Sequence, residues 1–199
     1  MMTMFKQFFL LLLIVFLFAG CDRNSSSGDK SDTLETKVVV AEQQDATPEQ
    51  RLKELGITLP EMSVPVANYV KYVKTGNLIF IAGHGPCSPR VKGDTGTLGK
   101  DMTVEEGYEA ARRTAICLLG TINHATGGDL SKVKRIVRVF GMVNSAPDFN
   151  EQHKVMNGCS DLLVDVFGEK GKHARAAVGM VSLPVNLSVE IEMVIEVEE

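Results

Sequence analysis

The 199-residue sequence contains no tryptophan, only four cysteines and no excess of basic residues. Its 21 Lys and Arg residues are outnumbered by 25 Asp and Glu residues, which gives a formal net charge of −4. Tight nucleic-acid binding depends on clustered Lys and Arg side chains, so we expect no nucleic acid among the partners. A hydrophobic share of 44% combined with this small net charge also excludes a disordered chain.

The sequence has one long unbroken apolar run, residues 8–19, preceded by Lys6. Twelve residues make a helix of about 18 Å, shorter than the roughly 30 Å hydrocarbon core of a bilayer. The run therefore predicts a signal peptide over residues 1–20 rather than a transmembrane span. Leu17-Phe18-Ala19-Gly20-Cys21 resembles a bacterial lipobox, which predicts lipidation of Cys21.

A lipidated Cys21 would anchor the protein to a membrane of the cell envelope, on the periplasmic side. The alternative is an ordinary secretory signal, which would leave Cys21 free. Residues 21–46 are mostly polar and predict a flexible tether, so the folded domain is expected over residues 47–199.

The other three cysteines stand far apart in the sequence and form neither a CxxC pair nor a Cys/His ligand spacing. Cys117 and Cys159 fall in helical patterns, where a small buried side chain is the ordinary role. We therefore expect no disulfide framework, no zinc and no other metal site.

Hydrophobic periodicity predicts two long helices and five strands in the order β-β-α-β-α-β-β. A capping box at Thr103 opens the first long helix, and Asp148 is expected to cap the second. A short helix begins after Thr47, and residues 83–100 are expected to form a long loop. The predicted strands cover residues 68–74, 78–82, 133–143, 174–183 and 188–198.

This order of elements predicts an α+β fold, a mixed β-sheet with both long helices packed on one face. The other face of the sheet would stay uncovered in a monomer. Its apolar residues suggest that further subunits cover it.

Two charged residues near the C-terminus, Arg175 and Glu190, fall in consecutive predicted strands. Arg175 begins the penultimate predicted strand, Glu190 lies in the last one, and an antiparallel pairing of the two would bring them to a common pocket. A guanidinium binds a carboxylate through two parallel hydrogen bonds, and a carboxylate can orient or deprotonate a water molecule. The pair therefore suggests hydrolysis of a small carboxylated substrate, although Arg–Glu pairs across strands are mostly structural.

Several motifs also resemble the Rid (YjgF-like) family, historically labelled L-PSP endoribonucleases. They are Gly76-Asn77-Leu78-Ile79-Phe80-Ile81-Ala82-Gly83, Arg175 with Val178, Leu183-Pro184 and Val189-Glu190-Ile191-Glu192. The similarity covers about residues 67–197. It implies a chorismate-mutase-like fold, a homotrimer and three pockets at subunit interfaces. Active members of that family hydrolyse reactive imines and enamines, such as 2-aminoacrylate, to 2-oxo acids and ammonia without a cofactor.

The resemblance also implies roles for individual residues. Arg175 matches the arginine that holds the substrate carboxylate, and Glu190 matches the glutamate that positions the attacking water. Tyr69 matches a tyrosine of the pocket, and Gly83 matches a glycine that lines it. His153 stands where an asparagine is usual and can donate to a substrate oxygen, or it can simply lie on a solvated helix face.

Two alanines depart from the family pattern: Ala82 replaces a serine and Ala177 replaces a cysteine, both common in the deaminases. His84 and Cys87 fall in the glycine-rich loop and form no nucleophile motif, so we expect them to have a loop role.

Three functions stay open at this point. The first is a trimeric imine and enamine deaminase. The second is a non-enzymatic module in which Arg175 captures a small carboxylated ligand, which suits an exported protein that does not meet cytosolic imines. The third, a ribonuclease, is least favoured because the sequence lacks a basic groove.

Overall fold

A computed structural model describes residues 46–87 and 90–198. The predicted signal peptide, the lipidation site Cys21 and nearly all of the tether lie outside these residues, so those predictions stay predictions. Within the described segments, no helix combines the length and the apolar character needed to cross a membrane.

The order of the main elements agrees with the prediction. The helices are α1 (Pro48–Glu54), α2 (Val104–Ala125) and α3 (Gln152–Phe167), and the strands are β1 (Tyr72–Thr75), β2 (Leu78–His84), β3 (Val133–Asn144), β4 (Ala174–Met180) and β5 (Val189–Val197). The two predicted capping boxes are present at Thr47 and Thr103, where each threonine hydroxyl accepts from the backbone N–H three residues later.

Four predicted boundaries are wrong by two residues or more. β1 begins at Tyr72, β2 runs on to His84, and β4 ends at Met180. α3 begins at Gln152, so Asp148 does not cap it. The segment before α3 forms a turn instead, in which the Phe149 N–H donates to the Ala146 carbonyl. The Gln152 side chain then donates to the Phe149 carbonyl at 2.7 Å.

The five strands form one sheet in the order β1-β2-β5-β3-β4, antiparallel except for the parallel pair β3–β4. The expected pairing of β4 with β5 is therefore wrong, because β3 lies between them. The connection between β4 and β5 passes the end of β3 through a short 3₁₀ turn at Pro184–Asn186. Val185 and Asn186 have positive φ angles of 49° and 58° there.

β5 occupies the centre of the sheet and alternates between buried apolar residues and partly exposed ones. Its buried side chains face the helices: Val189, Ile191, Met193, Ile195 and Val197. Glu190, Glu192 and Glu196 point to the opposite face. A register slip of one residue would turn these carboxylates into the core, so the alternation fixes the register of the sheet.

α2 and α3 pack side by side on one face of the sheet, which confirms the predicted α+β architecture. Gly158 of α3 allows a close approach, because a Cβ atom at this position would collide with the Tyr108 carbonyl of α2. The opposite sheet face carries Val73, Phe80 and Val194 in one cross-strand row. Phe80 is 47% exposed there, as expected for a face that the helices do not cover.

Cys87 and Cys117 form a disulfide, with their Cα atoms 5.7 Å apart, which corrects the expectation of none. The loop after β2 runs back along α2 and brings Cys87 to Cys117, a contact for which the sequence spacing gives no local signal. Cys159 behaves as predicted: it is free and buried in the core, and this burial raises the pKa of its thiol to about 12.

Replacement of Gly158 by alanine should destabilise the protein, because the added methyl group meets the backbone of α2. We expect a loss of about 1–3 kcal/mol in the free energy of unfolding, measured by urea denaturation. Lys154→Ala, at an exposed position of the same helix, is the control and should change it by less than about 0.5 kcal/mol. Equal stability of Gly158→Ala and the wild type would contradict the close packing of α2 and α3.

The disulfide closes a loop between residues 30 positions apart. A loop of this length predicts a stabilisation of about 3–4 kcal/mol under oxidising conditions. The double variant Cys87→Ala, Cys117→Ala should lose this amount in urea denaturation without reductant. Wild-type protein in excess reductant should unfold close to the double variant, and a wild type insensitive to reductant would show that the bond is absent.

Candidate active site

A β-bulge in β2 shapes the first half of the candidate site. Ile81 pairs with Met193 and His84 with Ile191, so three steps along β2 oppose two along β5. The extra residue lets both Ile81 and His84 face the helices, while Gly83 turns toward the open face of the sheet. Bulges of this kind occur often beside active sites, where they redirect a side chain.

His84 is buried beneath α2, at the end of β2 rather than in a loop as expected. The Ala82 carbonyl lies 2.7 Å from Nδ1 and can only accept, so Nδ1 carries the proton. The Thr121 hydroxyl then donates to Nε2 at 2.8 Å. Burial lowers the pKa of His84, so its ring is neutral and both nitrogens are satisfied. His84 thus joins β2 to α2 and is not placed for proton transfer.

Glu190 lies directly over Gly83. A Cβ atom at residue 83 would collide with the Glu190 carboxylate, so only glycine permits this approach. Burial is the main cause that raises the pKa of Glu190, and the charge of Glu192 raises it further, while the charge of Lys71 lowers it. A carboxyl group with a raised pKa is a stronger base than an exposed one once it is ionised.

A cavity of about 490 Å³ opens at Gly83, the residue against which the Glu190 carboxylate lies. Its wall includes Tyr69, Lys71, Gly83 and Arg90. Tyr69 is 46% exposed there, just before the start of β1. The structure therefore brings Tyr69 and Gly83 into one cavity wall and sets Glu190 against it.

The loop after β2 borders this cavity and is held to α2 at two points. One is the disulfide of Cys87 and Cys117, both of which line the cavity. The other is Asp94, which is 1% exposed and accepts from Arg113 Nε at 2.7 Å. The Val91 N–H donates to the second oxygen of the same carboxylate at 2.7 Å. The disulfide thus holds the loop at the cavity wall, and the contacts of Asp94 hold a later part of the loop to α2.

Arg175 lies elsewhere, on the edge strand β4, and reaches over α3. Its Nη1 donates to Asn157 Oδ1 at 3.0 Å and to Ser160 Oγ at 2.9 Å, and its Nη2 donates to the His153 carbonyl at 3.2 Å. These contacts leave the Nε–H and one Nη2–H for a ligand. His153 therefore orients Arg175 through its backbone, while its own side chain is exposed.

Behind Arg175 a hydrogen-bond chain continues into the protein. His173 Nδ1 donates to the Gly171 carbonyl at 2.7 Å, so the Ser160 hydroxyl donates to Nε2 at 3.1 Å while it accepts from Arg175. Burial and then the charge of Arg175 lower the pKa of His173, which keeps its ring neutral.

Sequence reasoning missed this support for Arg175. The available signal is a polar stripe on α3, since His153, Asn157 and Ser160 are spaced four and three residues apart and so share one face of the helix.

Arg175 and Glu190 do not share a pocket within one chain. β3 lies between the strands that carry these two residues. Arg175 pairs with Val139 of β3, and Glu190 pairs with Met142 of β3. The two residues are therefore offset by three residues along the strands and by two strand spacings across the sheet. Their Cα atoms are then separated by roughly 14 Å. They also lie on opposite faces of the sheet, since Arg175 contacts α3 and Glu190 faces away from the helices.

The two departures from the family pattern occupy different surroundings. Ala82 lies in the bulge of β2, and Ala177 packs against the edge of the core from β4.

Within the described part of the chain, no group of three or more His, Cys, Asp or Glu side chains is arranged to hold a metal ion.

Known proteins resemble this chain in both sequence and structure. The family model described as "YjgF/chorismate mutase-like, putative endoribonuclease" matches residues 49–197. Protein TCP17 of Trypanosoma cruzi is 44% identical over 146 residues, which cover 73% of this chain and 91% of that protein.

Two solved structures extend the resemblance. A protein of unknown function from Agrobacterium tumefaciens has a TM-score of 0.71 at 46% identity, covering 76% of this chain and 92% of that one. A putative endoribonuclease from Shewanella oneidensis has a TM-score of 0.72 at 34% identity, covering 76% of this chain and all of that one. Members of the matched family are typically trimeric and bind small ligands. The match over residues 49–197 shows that this chain belongs to the YjgF/chorismate mutase-like family.

Proposed function

We propose that the protein hydrolyses reactive 2-imino and 2-enamino acids to 2-oxo acids and ammonia. The observation that carries this proposal is the way in which Arg175 is held. Its guanidinium donates three hydrogen bonds to acceptors on α3, and two of its N–H groups stay available for a ligand. A planar guanidinium presented in this way suits a carboxylate. Glu190, with its raised pKa, supplies the base.

Because Arg175 and Glu190 are far apart within one chain, a site that uses both has to form between two subunits. β4 is an edge strand, and the cavity beside Glu190 opens near β1, the strand at the other edge. A head-to-tail contact that closes into a ring would bring the Arg175 edge of one subunit to the Glu190 side of the next. We therefore propose a homotrimer with three such sites, in which subunit contacts also cover the exposed apolar row around Phe80.

The proposed reaction begins with the substrate carboxylate on Arg175. Glu190 takes a proton from a water molecule, and the oxygen of that water attacks the imine carbon. The imine nitrogen gains the proton, which gives a carbinolamine. The carbinolamine hydroxyl then loses its proton and the amine nitrogen gains one, so that the C–N bond breaks, ammonia leaves and the oxygen becomes the carbonyl of the 2-oxo acid. An enamine such as 2-aminoacrylate first accepts a proton at C3 to become the imine, and no cofactor enters this sequence.

The Cys87–Cys117 disulfide supports the proposed export of the protein. Disulfides persist in oxidising compartments such as the bacterial periplasm and are rare in the cytosol. We propose that the domain is held at the cell envelope through a lipid on Cys21.

That location favours a second candidate function, a binding module in which Arg175 captures a small carboxylated ligand without turnover. Calorimetry with 2-oxo acids, combined with an assay for ammonia release, separates the two functions, because binding without ammonia release supports only the module. Ribonuclease activity is disfavoured, since Glu192 and Glu196 on the open sheet face form ion pairs with Arg138, Lys134 and Arg135, which are therefore not free to bind phosphates.

Replacement of Arg175 by alanine removes the donors to the substrate carboxylate and should lower kcat/KM for 2-iminopropanoate by about 10- to 100-fold. Arg175→Lys keeps the charge without the planar fork and should recover only part of the loss. Ammonia release from enzymatically generated imine is the assay. Arg112→Ala, at an ion pair between α2 and α3, is the matched control and should stay active. Full activity of Arg175→Ala would remove Arg175 from the proposed site.

The pKa of Glu190 should respond to its neighbour on the same strand. Glu192 raises it, so Glu192→Gln should move the titration of the Glu190 carboxyl, followed by carbon NMR, to lower pH. The ionised base would then persist to lower pH, so the acid limb of kcat/KM should shift in the same direction. Glu196→Gln, on the same face of β5, should leave the Glu190 titration in place. An unchanged titration in Glu192→Gln would show that the two carboxyl groups do not interact.

A further inference from the structure

The cavity beside Glu190 is larger than the proposed reaction of a three-carbon acid requires. Its volume of about 490 Å³ lies within the range of sites that enclose whole small-molecule ligands. Gly83, which supports the Glu190 carboxylate, forms part of its wall. A substrate attacked at Glu190 would reach this space with its side chain by passing Gly83, the wall residue that Glu190 contacts.

Two cationic side chains line the same cavity, Lys71 and Arg90. Neither takes part in an ion pair found among the described residues. The Lys71 ammonium lies 5.8 Å from the centre of the Tyr69 ring, which belongs to the same wall. Glu61 is the single carboxylate among the residues that line this cavity, so the lining itself carries one excess positive charge, and Glu190 lies against the wall at Gly83 as a second carboxylate.

A simpler role for Lys71 would be to neutralise Glu190. The charge of Lys71 does lower the pKa of Glu190, but the ion pairs found within 4.0 Å among the described residues do not join the two, so the Lys71 ammonium keeps its donors. This simpler role would also leave Arg90 unexplained, because its side chain lines the same cavity from the loop that the disulfide ties to α2.

We propose that Lys71 and Arg90 form an anion subsite that selects substrates with a second carboxylate, so that the preferred substrates are 2-imino derivatives of dicarboxylic amino acids. This inference rests on the proposed deaminase function. Arg175 of one subunit would hold the carboxylate next to the imine, and Lys71 and Arg90 of the neighbouring subunit would hold the second one. The reaction consumes one water and releases one ammonia, and the second carboxylate passes through unchanged.

The test compares 2-iminoglutarate and 2-iminosuccinate with 2-iminopropanoate, each generated by an amino-acid oxidase. Wild-type protein should hydrolyse at least one of the dicarboxylic imines with a kcat/KM about tenfold or more above that for 2-iminopropanoate. The double variant Lys71→Met, Arg90→Met should lose about tenfold or more with the dicarboxylic imine, as expected when charged hydrogen bonds are removed. Because the charge of Lys71 also lowers the pKa of Glu190, the rates are compared above the acid limb of both proteins. The readout is the ratio of kcat/KM for the dicarboxylic imine to that for 2-iminopropanoate, which should fall about tenfold or more.

Two further variants make the test specific. Lys74→Met removes an exposed cation from β1, which begins one residue after Lys71, and should leave the preference intact because Lys74 lies outside this cavity. Lys71→Arg keeps the charge and should retain most of it. No preference for dicarboxylic imines in the wild type, or an equal loss on all three imines in the double variant, would overturn the subsite while the deaminase function stands.

Failure of the deaminase function would give a different result, since none of the three imines would be hydrolysed. The subsite is then tested by calorimetry with 2-oxoglutarate and pyruvate. Tighter binding of 2-oxoglutarate that is lost in the double variant supports the subsite, and equal binding of the two acids overturns it.

Discussion

The central position of β5 is the constraint on which the rest of the structure depends. Five apolar side chains of this strand are buried under the helices, and each contributes about 1.5–3 kcal/mol by leaving water. Its glutamates must then point to the opposite face. Because β2 and β3 flank β5, their registers follow from the same alternation, and so does the side of the sheet on which each charged residue lies.

This arrangement explains why the candidate site is divided. Glu190 faces away from the helices, over the bulge at Gly83, whereas Arg175 reaches from the edge strand toward α3. Each half depends on its own surroundings. Partial burial raises the pKa of Glu190. Acceptors on α3 orient the Arg175 guanidinium, and one of them, Ser160, is hydrogen-bonded in turn to His173. A contact between neighbouring subunits can unite the halves, and the exposed apolar row around Phe80 provides surface for such a contact.

Sequence periodicity was sufficient to predict the order of the elements, because β5 alternates strictly and the long helices carry clear apolar stripes. It was insufficient for strand neighbours. A short connection before β5 suggested a β4–β5 hairpin, but the chain instead passes the end of β3. The Cys87–Cys117 disulfide was missed for a similar reason, because only the packed loop brings the two residues together. The family motifs that contain Arg175 and Glu190 do not indicate that the two residues lie on opposite faces of the sheet.

Complementation between two inactive variants tests the divided site most directly. Arg175→Ala and Glu190→Gln chains, co-expressed with different tags, would assemble at random into mixed trimers. A site built from Arg175 of one subunit and Glu190 of the next should be intact at about one quarter of the interfaces, so the mixture should regain about that share of wild-type activity. Mixed trimers that stay inactive, beside an active wild type, would contradict the account.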